Sequence, residues 1–226
     1  MRLLFSDVLV TDENHENHAK HVNIAVIGNT VEYVGEARPE GEFDRVISGN
    51  YLVMPGFYNA HCHSAMTLFR GLGGDLPLKH WLDEAILPAE DRLTPELVRL
   101  FTTEAIAEMI ACGTVAFSDM YFSCTDTARA ALDSGIKLNI ARSVVSFDED
   151  ADPAADYRVA EALELYREWN GEGDGRIKVD FSLHAEYTNT PRMCEYLADL
   201  AHKYDAGMQI HLSETEGEHL RCIEKY

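Results

Sequence analysis

Residues 178–186 read KVDFSLHAE, residues 191–204 read PRMCEYLADLAHKY, and residues 207–215 read GMQIHLSET. The outer two segments alternate, as strands do. Asp180, Ser182 and His184 share one face and Phe181 and Leu183 the other, while Gln209 and His211 oppose Ile210 and Leu212. The middle segment is punctuated as a helix, with Thr190 as N-cap, Pro191 in its first turn and Gly207 shortly after its end. Strand, helix and strand in so short a span make a βαβ unit, which requires a parallel sheet and a right-handed crossover.

The same rhythm runs backwards from this unit. Residues 51–63, 114–121 and 137–145 are further strand candidates, and 95–112, 127–133 and 154–169 are helical. In the 95–112 helix Thr94 is the N-cap, Pro95 opens the first turn and Gly113 follows the end. Leu97, Leu100, Phe101, Ala105 and Met109 are expected to form its buried face. Residues 148–156 and 170–176 are acidic or Gly-rich, as surface loops are. Five strands in a row with helices between them leave two architectures, an open doubly wound sheet or a (β/α) barrel. No G-x-G-x-x-G or P-loop follows a strand, which weakens a nucleotide-binding reading.

Before residue 51 the style differs. Short β-type runs at 3–10, 23–27, 30–34 and 46–47 are separated by turn residues, with Gly28-Asn29 marking a hairpin and 39–44 a loop. The chain is expected to divide into a small β-sheet domain over 1–50 and an α/β domain over 51–226.

Composition excludes several classes. Of 226 residues, 19 are Lys or Arg against 39 Asp or Glu, a formal net charge of −20. Phosphate neutralisation needs the opposite balance, so neither nucleic acid nor an anionic membrane surface is an expected partner. No apolar run approaches the roughly 18 residues of a membrane span. The opening MRLLFSDVLVTDEN lacks the apolar core of a signal peptide. Five widely spaced cysteines without a C-x-x-C point to free thiols and a cytoplasmic setting.

Histidines gather where strands end. His61 and His63 are two apart, on one face, at the C-terminal end of the first strand of the α/β domain. His184 ends the fourth strand and His211 the fifth, with Glu214 three residues later. In a parallel sheet all these ends lie on one rim. Four imidazoles and a carboxylate are therefore expected to converge into a metal-centred hydrolytic site. His15, His18 and His21 are a competing cluster, but three-residue spacing needs a helix and that stretch reads as a polar loop. His80, His202 and His219 are taken as solvated or capping groups.

The stretch PGFYNAHCHSAMTLFRG at 55–71 resembles the deaminase/chlorohydrolase branch of the amidohydrolase superfamily. Within that branch, DLPL at 75–78 with Trp81-Leu82, HAEYT at 184–188 and HLSET at 211–215 resemble the 5-methylthioadenosine/S-adenosylhomocysteine deaminases. The match runs in order along nearly the whole chain. The resemblance implies that His61, His63 and His211 bind one divalent metal and that Glu214 is the catalytic proton shuttle. It implies substrate contacts from His184 and Trp81, with Arg142 and Arg158 as secondary candidates for a carboxylate or ribose contact. Binuclear members end strand four with a carboxylated lysine, whereas here His184 stands there and Lys178 lies at the opposite end, so one metal is implied. The ligand types suit Zn²⁺, with Fe²⁺ or Mn²⁺ left open. The implied substrate is a small nucleoside-like molecule that loses its amino group as ammonia, and the implied assembly is a homo-oligomer.

The resemblance also implies more chain than these residues hold. A closed (β/α)₈ barrel typically takes about 250 residues, and the family uses an Asp after strand eight and a His after strand five. The expectation is an incomplete (β/α)₈ TIM-type barrel of about five βα units, truncated after strand five and preceded by half of a small β-sandwich domain. Related chemistry stays open (a chlorohydrolase, a guanine or cytosine deaminase), as does an inactive fragment that at most binds metal.

Overall fold

The structure is a computed structural model that describes residues 1–11 and 20–225. It contains two compact units, Met1–Gly56 and Phe57–Tyr226.

In the first unit, β1 (Arg2–Val10), β2 (Lys20–Ile27), β3 (Thr30–Gly35) and β4 (Arg45–Ser48) form a sheet in the order β3-β2-β1-β4, and β5 (Leu52–Val53) also pairs with β1. The β2–β3 connection is the expected hairpin, and Gly28 takes the positive φ (60°) that such turns favour. Alternation places Val8, Val22 and Ile24 in one buried cluster. His15 and His18 lie outside the described residues. His21 is on β2, exposed, with its Nδ1 2.9 Å from an Asp7 carboxylate oxygen.

The second unit is built on a five-stranded sheet, β6 (Phe57–Cys62), β7 (Thr114–Tyr121), β8 (Lys137–Val144), β9 (Ile177–Ala185) and β10 (Met208–His211). Spatial order equals sequence order, and every pair is parallel. Its longer helices are α1 (Pro95–Ala111), α2 (Cys124–Ser134), α3 (Tyr157–Trp169), α4 (Pro191–Tyr204) and α5 (Glu216–Lys225). The caps act as expected. Thr94 Oγ1 accepts from the Leu97 N–H at 3.3 Å, and Thr190 Oγ1 from the Met193 N–H at 3.2 Å. Two buried clusters glue helices to strands. Phe117, Leu138, Ile140 and Val179 belong to one, and Phe181, Leu183, Met193 and Leu197 to the other. Phe181 stacks on Tyr166 at 5.7 Å between ring centroids and packs beside Tyr204. All five cysteines are free thiols. Among the described residues, no helix is long and apolar enough to cross a membrane.

Four details differ from expectation. The strand expected over 51–63 is two strands, β5 and β6, parted by Pro55-Gly56. Proline has no N–H to give a ladder, and the two pieces pair with different partners, β1 and β7. The helix expected from 154 starts at Tyr157, after a 3₁₀ turn at Pro153–Ala155, because Asp156 caps the Arg158 N–H at 2.8 Å. The buried stripe of α1 is Val98, Thr102, Ala105 and Ile106, while Leu100 is 59% exposed. A polar Thr102 is accommodated there because its hydroxyl meets the Ser64 Oγ at 3.1 Å. Finally, β10 stops at His211. Ser213 turns to φ +53°, and the N–H groups of Ser213 and Glu214 leave the ladder for the Glu218 carboxylate.

Candidate metal centre

His61 lies on β6 and His211 ends β10, the two borders of the sheet. Four inter-strand spacings of about 4.8 Å would part them by roughly 19 Å in a flat sheet. Instead, Nε2 of His211 is 3.3 Å from Nε2 of His61 and 3.3 Å from Nε2 of His63. The sheet is therefore strongly curled, with the C-terminal ends of its border strands brought to one point. One ring nitrogen from each of the three histidines lies within 4.8 Å of the other two. His184 joins this group, its ring centroid 4.8 Å from that of His211.

The ring chemistry suits metal ligation. Nδ1 of His63 is 2.6 Å from the Met120 carbonyl oxygen, which can only accept. Nδ1 thus carries the proton, and in the neutral ring Nε2 presents a bare lone pair to the other histidines. Burial lowers the basicity of His61, His63 and His184, with His63 adding to the effect on the other two. His211 is pushed furthest, to about 4, by burial and then by His184, His63 and His61. Its Nδ1 is buried and meets no hydrogen-bond partner among the described residues. Four neutral imidazoles crowded together, three with nitrogens converging, form a donor set that fits a divalent metal.

Glu214 is exposed beyond β10, and its charge opposes the loss of basicity at His61 and His63. Its backbone is held by a residue that sequence reasoning missed. Glu218 is 2% exposed, and its carboxylate accepts from the Ser213 N–H at 3.0 Å and the Glu214 N–H at 2.9 Å. Thr215 Oγ1 in turn caps the Glu218 N–H at 3.2 Å. The T-x-x-E spacing of Thr215 and Glu218 is a capping-box signal that could have revealed it.

Asp119 on β7 was also missed. It is fully buried, and burial raises its carboxyl to about 6. Its Oδ2 accepts from the Ser64 N–H at 3.1 Å and from the Ser64 hydroxyl, and its Oδ1 is buried without a partner among the described residues. An acidic residue inside the strand TVAFSDMY was the available signal.

The remaining expected site residues are placed elsewhere. Trp81 donates from Nε1 to the Leu72 carbonyl at 2.9 Å and lines a hollow of about 470 Å³ with Met66, Phe69, Leu72 and Leu76, none of the four histidines among its lining. Arg142 is in register with Phe181, which faces the helices, and pairs with Glu161 of α3 at 2.7 Å. Arg158 is held by both Asp156 oxygens at 3.0 Å. Among the described residues, no hydrogen bond, ion pair or ring contact joins Trp81, Arg142 or Arg158 to the four histidines. Both arginines are satisfied by neighbouring carboxylates on the helix layer. His184 Nδ1 faces Thr188 Oγ1 at 3.2 Å. His80 and His219 are peripheral, against Glu84 and Ser213.

Residues 52–226 match the model of the amidohydrolase family. The chain belongs to that family. A 5-methylthioadenosine/S-adenosylhomocysteine deaminase of Syntrophomonas wolfei is 37% identical to this chain over 229 residues, covering 100% of this chain and 52% of that protein. A 5′-deoxyadenosine deaminase of Methanobrevibacter smithii is 38% identical over 200 residues, 88% of this chain and 44% of that protein. Among solved structures, an adenosine deaminase from Xanthomonas campestris with bound zinc superposes with a TM-score of 0.88 at 30% identity, covering 99% of this chain and 52% of that one. A guanine deaminase from C. acetobutylicum shares the fold at a TM-score of 0.84 and 19% identity. The chain spans about half the length of the curated relatives it matches. Its parallel sheet is accordingly a partial (β/α)₈ barrel, the architecture expected from the sequence.

Proposed function

We propose that this amidohydrolase carries the metal side of a hydrolytic deaminase site for adenine nucleosides of the methylthioadenosine or S-adenosylhomocysteine type. The observation that carries the reading is the meeting of three histidine nitrogens across the two borders of a curled sheet. The names of its relatives support the choice of substrate class.

His61, His63 and His211 would hold one divalent ion, Zn²⁺ by ligand type. Bound there, such an ion would lower the pKa of water toward about 7 and so supply a nucleophile at neutral pH. At the C-terminal end of β9, where a carboxylated lysine would be needed to hold a second ion, stands His184. Lys178 lies at the far end of β9, paired with Asp180 at 3.3 Å.

Glu214 is the proton carrier. Its exposed carboxylate lies within electrostatic reach of His61 and His63, takes a proton and delivers it to a ring nitrogen of the substrate. Glu218 orients it by gripping its backbone. His184 has one nitrogen engaged by Thr188 and the other free to contact the substrate ring or ribose. The net change adds water across the ring carbon bearing the amine and releases ammonia.

The test is metal analysis of the purified chain, followed by ammonia release from methylthioadenosine, S-adenosylhomocysteine and adenosine. One ion per chain with ammonia from any of the three supports the reading. Absence of bound metal after Zn²⁺ loading overturns it. Stoichiometric metal without ammonia overturns deamination by this chain and leaves a metal site alone.

A further inference from the structure

We propose that Asp119 is a positioning residue for the metal centre, its buried carboxylate clamping Ser64 so that His63 presents Nε2 to its two partner histidines. The inference rests on the metal reading of those histidines.

Asp119 is not placed as a ligand. On β7 it shares parity with Phe117, and across the ladder it pairs with Ile140, and both of these belong to the helix-side core. Its side chain accordingly lies under α1, where Ser64 Oγ links onward to Thr102 at 3.1 Å. A carboxylate in such a place is costly, more so with Oδ1 unpartnered. An amide or apolar side chain would fill the same space more cheaply, so the carboxylate needs a reason in what it holds.

What it holds is the corner after the H-x-H pair. The chain leaves β6 at Cys62, bends at His63 (φ −124°, ψ 79°) and enters a 3₁₀ turn at Ser64. Two consecutive residues of β7 grip this bend from both sides. The Met120 carbonyl takes the His63 Nδ1–H, fixing tautomer and ring direction. Asp119 takes both the N–H and the hydroxyl of Ser64, fixing the backbone that carries the ring. An acceptor with two lone pairs on one oxygen can serve both donors at once. An amide oriented to do so would turn its NH₂ toward the unpartnered side, and a flipped amide would set donor against donor. Outer partners of this kind orient metal-binding rings.

The test uses the intact chain with Co²⁺ and Zn²⁺ alone as probes. Zn²⁺ affinity is read by competition with a chromophoric chelator, and ligand geometry by the visible absorption of the Co²⁺ form, both well below the unfolding temperature. Asp119→Asn is expected to weaken Zn²⁺ by roughly tenfold to a hundredfold and to alter the Co²⁺ spectrum. Thr102→Val is the packing control, cutting the link to α1 while leaving the clamp, and is expected to change neither readout. Should Asp119→Asn not fold, Ser64→Ala removes one of the two donors, with roughly a fivefold loss of affinity expected. Unchanged affinity and spectrum in the folded Asp119 variant, or in Ser64→Ala where it stands in, overturn the inference alone. So does an equal loss in Thr102→Val. Failure of the wild-type chain to take up Co²⁺ overturns the metal centre and the inference with it.

Discussion

Strands β7 to β9 and strands β6 and β10 belong to one sheet but are stabilised in different ways. The central strands are sandwiched: Phe117, Ile140, Val179 and Phe181 are sealed under helices. The border strands are not. Tyr58 is 69% exposed, and Ile210 and Leu212, the residues expected to face helices, are 38% and 62% exposed. Yet the borders, not the centre, supply all three converging nitrogens. Hydrophobic burial holds the middle of the sheet whatever happens at its rim. The rim depends on polar partners: Met120 and Asp119 for the first border, Glu218 for the second. A metal ion would act as a clasp between the two borders, drawing its stabilisation from ligands that burial alone leaves crowded and unsatisfied.

Breaking the chemistry at the rim without touching either region should give the largest effect. Glu214→Gln is expected to lower ammonia release by about 10²- to 10⁴-fold with metal content unchanged. Full activity at full metal content would remove Glu214 from its role. Striking the centre comes next. Phe181→Ala should cost about 3–5 kcal/mol in denaturant unfolding, whether or not metal is present. Removing metal is the converse test. At a free ion concentration a thousand times Kd the ion contributes about 4 kcal/mol. Hydrogen exchange after chelation should rise at the ends of β6 and β10 while β8 and β9 stay protected. Equal loss of protection in all five strands would erase the distinction between border and centre.

Acid sharpens the same contrast. The four rim histidines have folded-state basicities below the ordinary 6.5, with His211 near 4. The unfolded chain therefore binds more protons as pH falls. Their contribution to metal-free stability is fully present above about pH 6.5 and is lost as pH drops toward 4. Unfolding free energy measured across that window should fall with pH, and substituting His211 with Asn should flatten the slope. Smallest of all is the border surface, where Leu212→Ser is expected to change stability within about 0.5 kcal/mol. A larger loss in equilibrium unfolding would mean that Leu212 is covered in solution.

The parts of the molecule legible in sequence are those set by local rules. The bounds of β7 and of the Pro191–Tyr204 helix coincide with their sequence readings, because alternation, Thr caps and Pro at the first turn are written within a few residues. The site histidines were found from their place at strand ends, a consequence of parallel topology. Asp119 is not legible in this way, since its partner Ser64 is 55 positions away; Glu218 leaves a local signal in the T-x-x-E spacing, but what its carboxylate holds is decided by where β10 stops. The stripe of α1 was misplaced for a related reason. Thr102 looks like a surface residue until Ser64, 38 positions away, meets its hydroxyl. Arg142 likewise pairs with Glu161, 19 positions away on another element, which no local pattern names.

By itself the sequence determined the alternation of strand and helix, the residues that would stand at the rim, and the family resemblance that the residue 52–226 match bears out. These follow from periodicity and from motifs whose members are close neighbours in the chain. Tertiary structure alone decided the curl that brings His61 and His211, 150 positions apart, to 3.3 Å. It also decided which nitrogen of His63 is bare and which buried carboxylates hold the rim in place. Distances and tautomers depend on partners from other strands, and no local pattern encodes where those partners will stand.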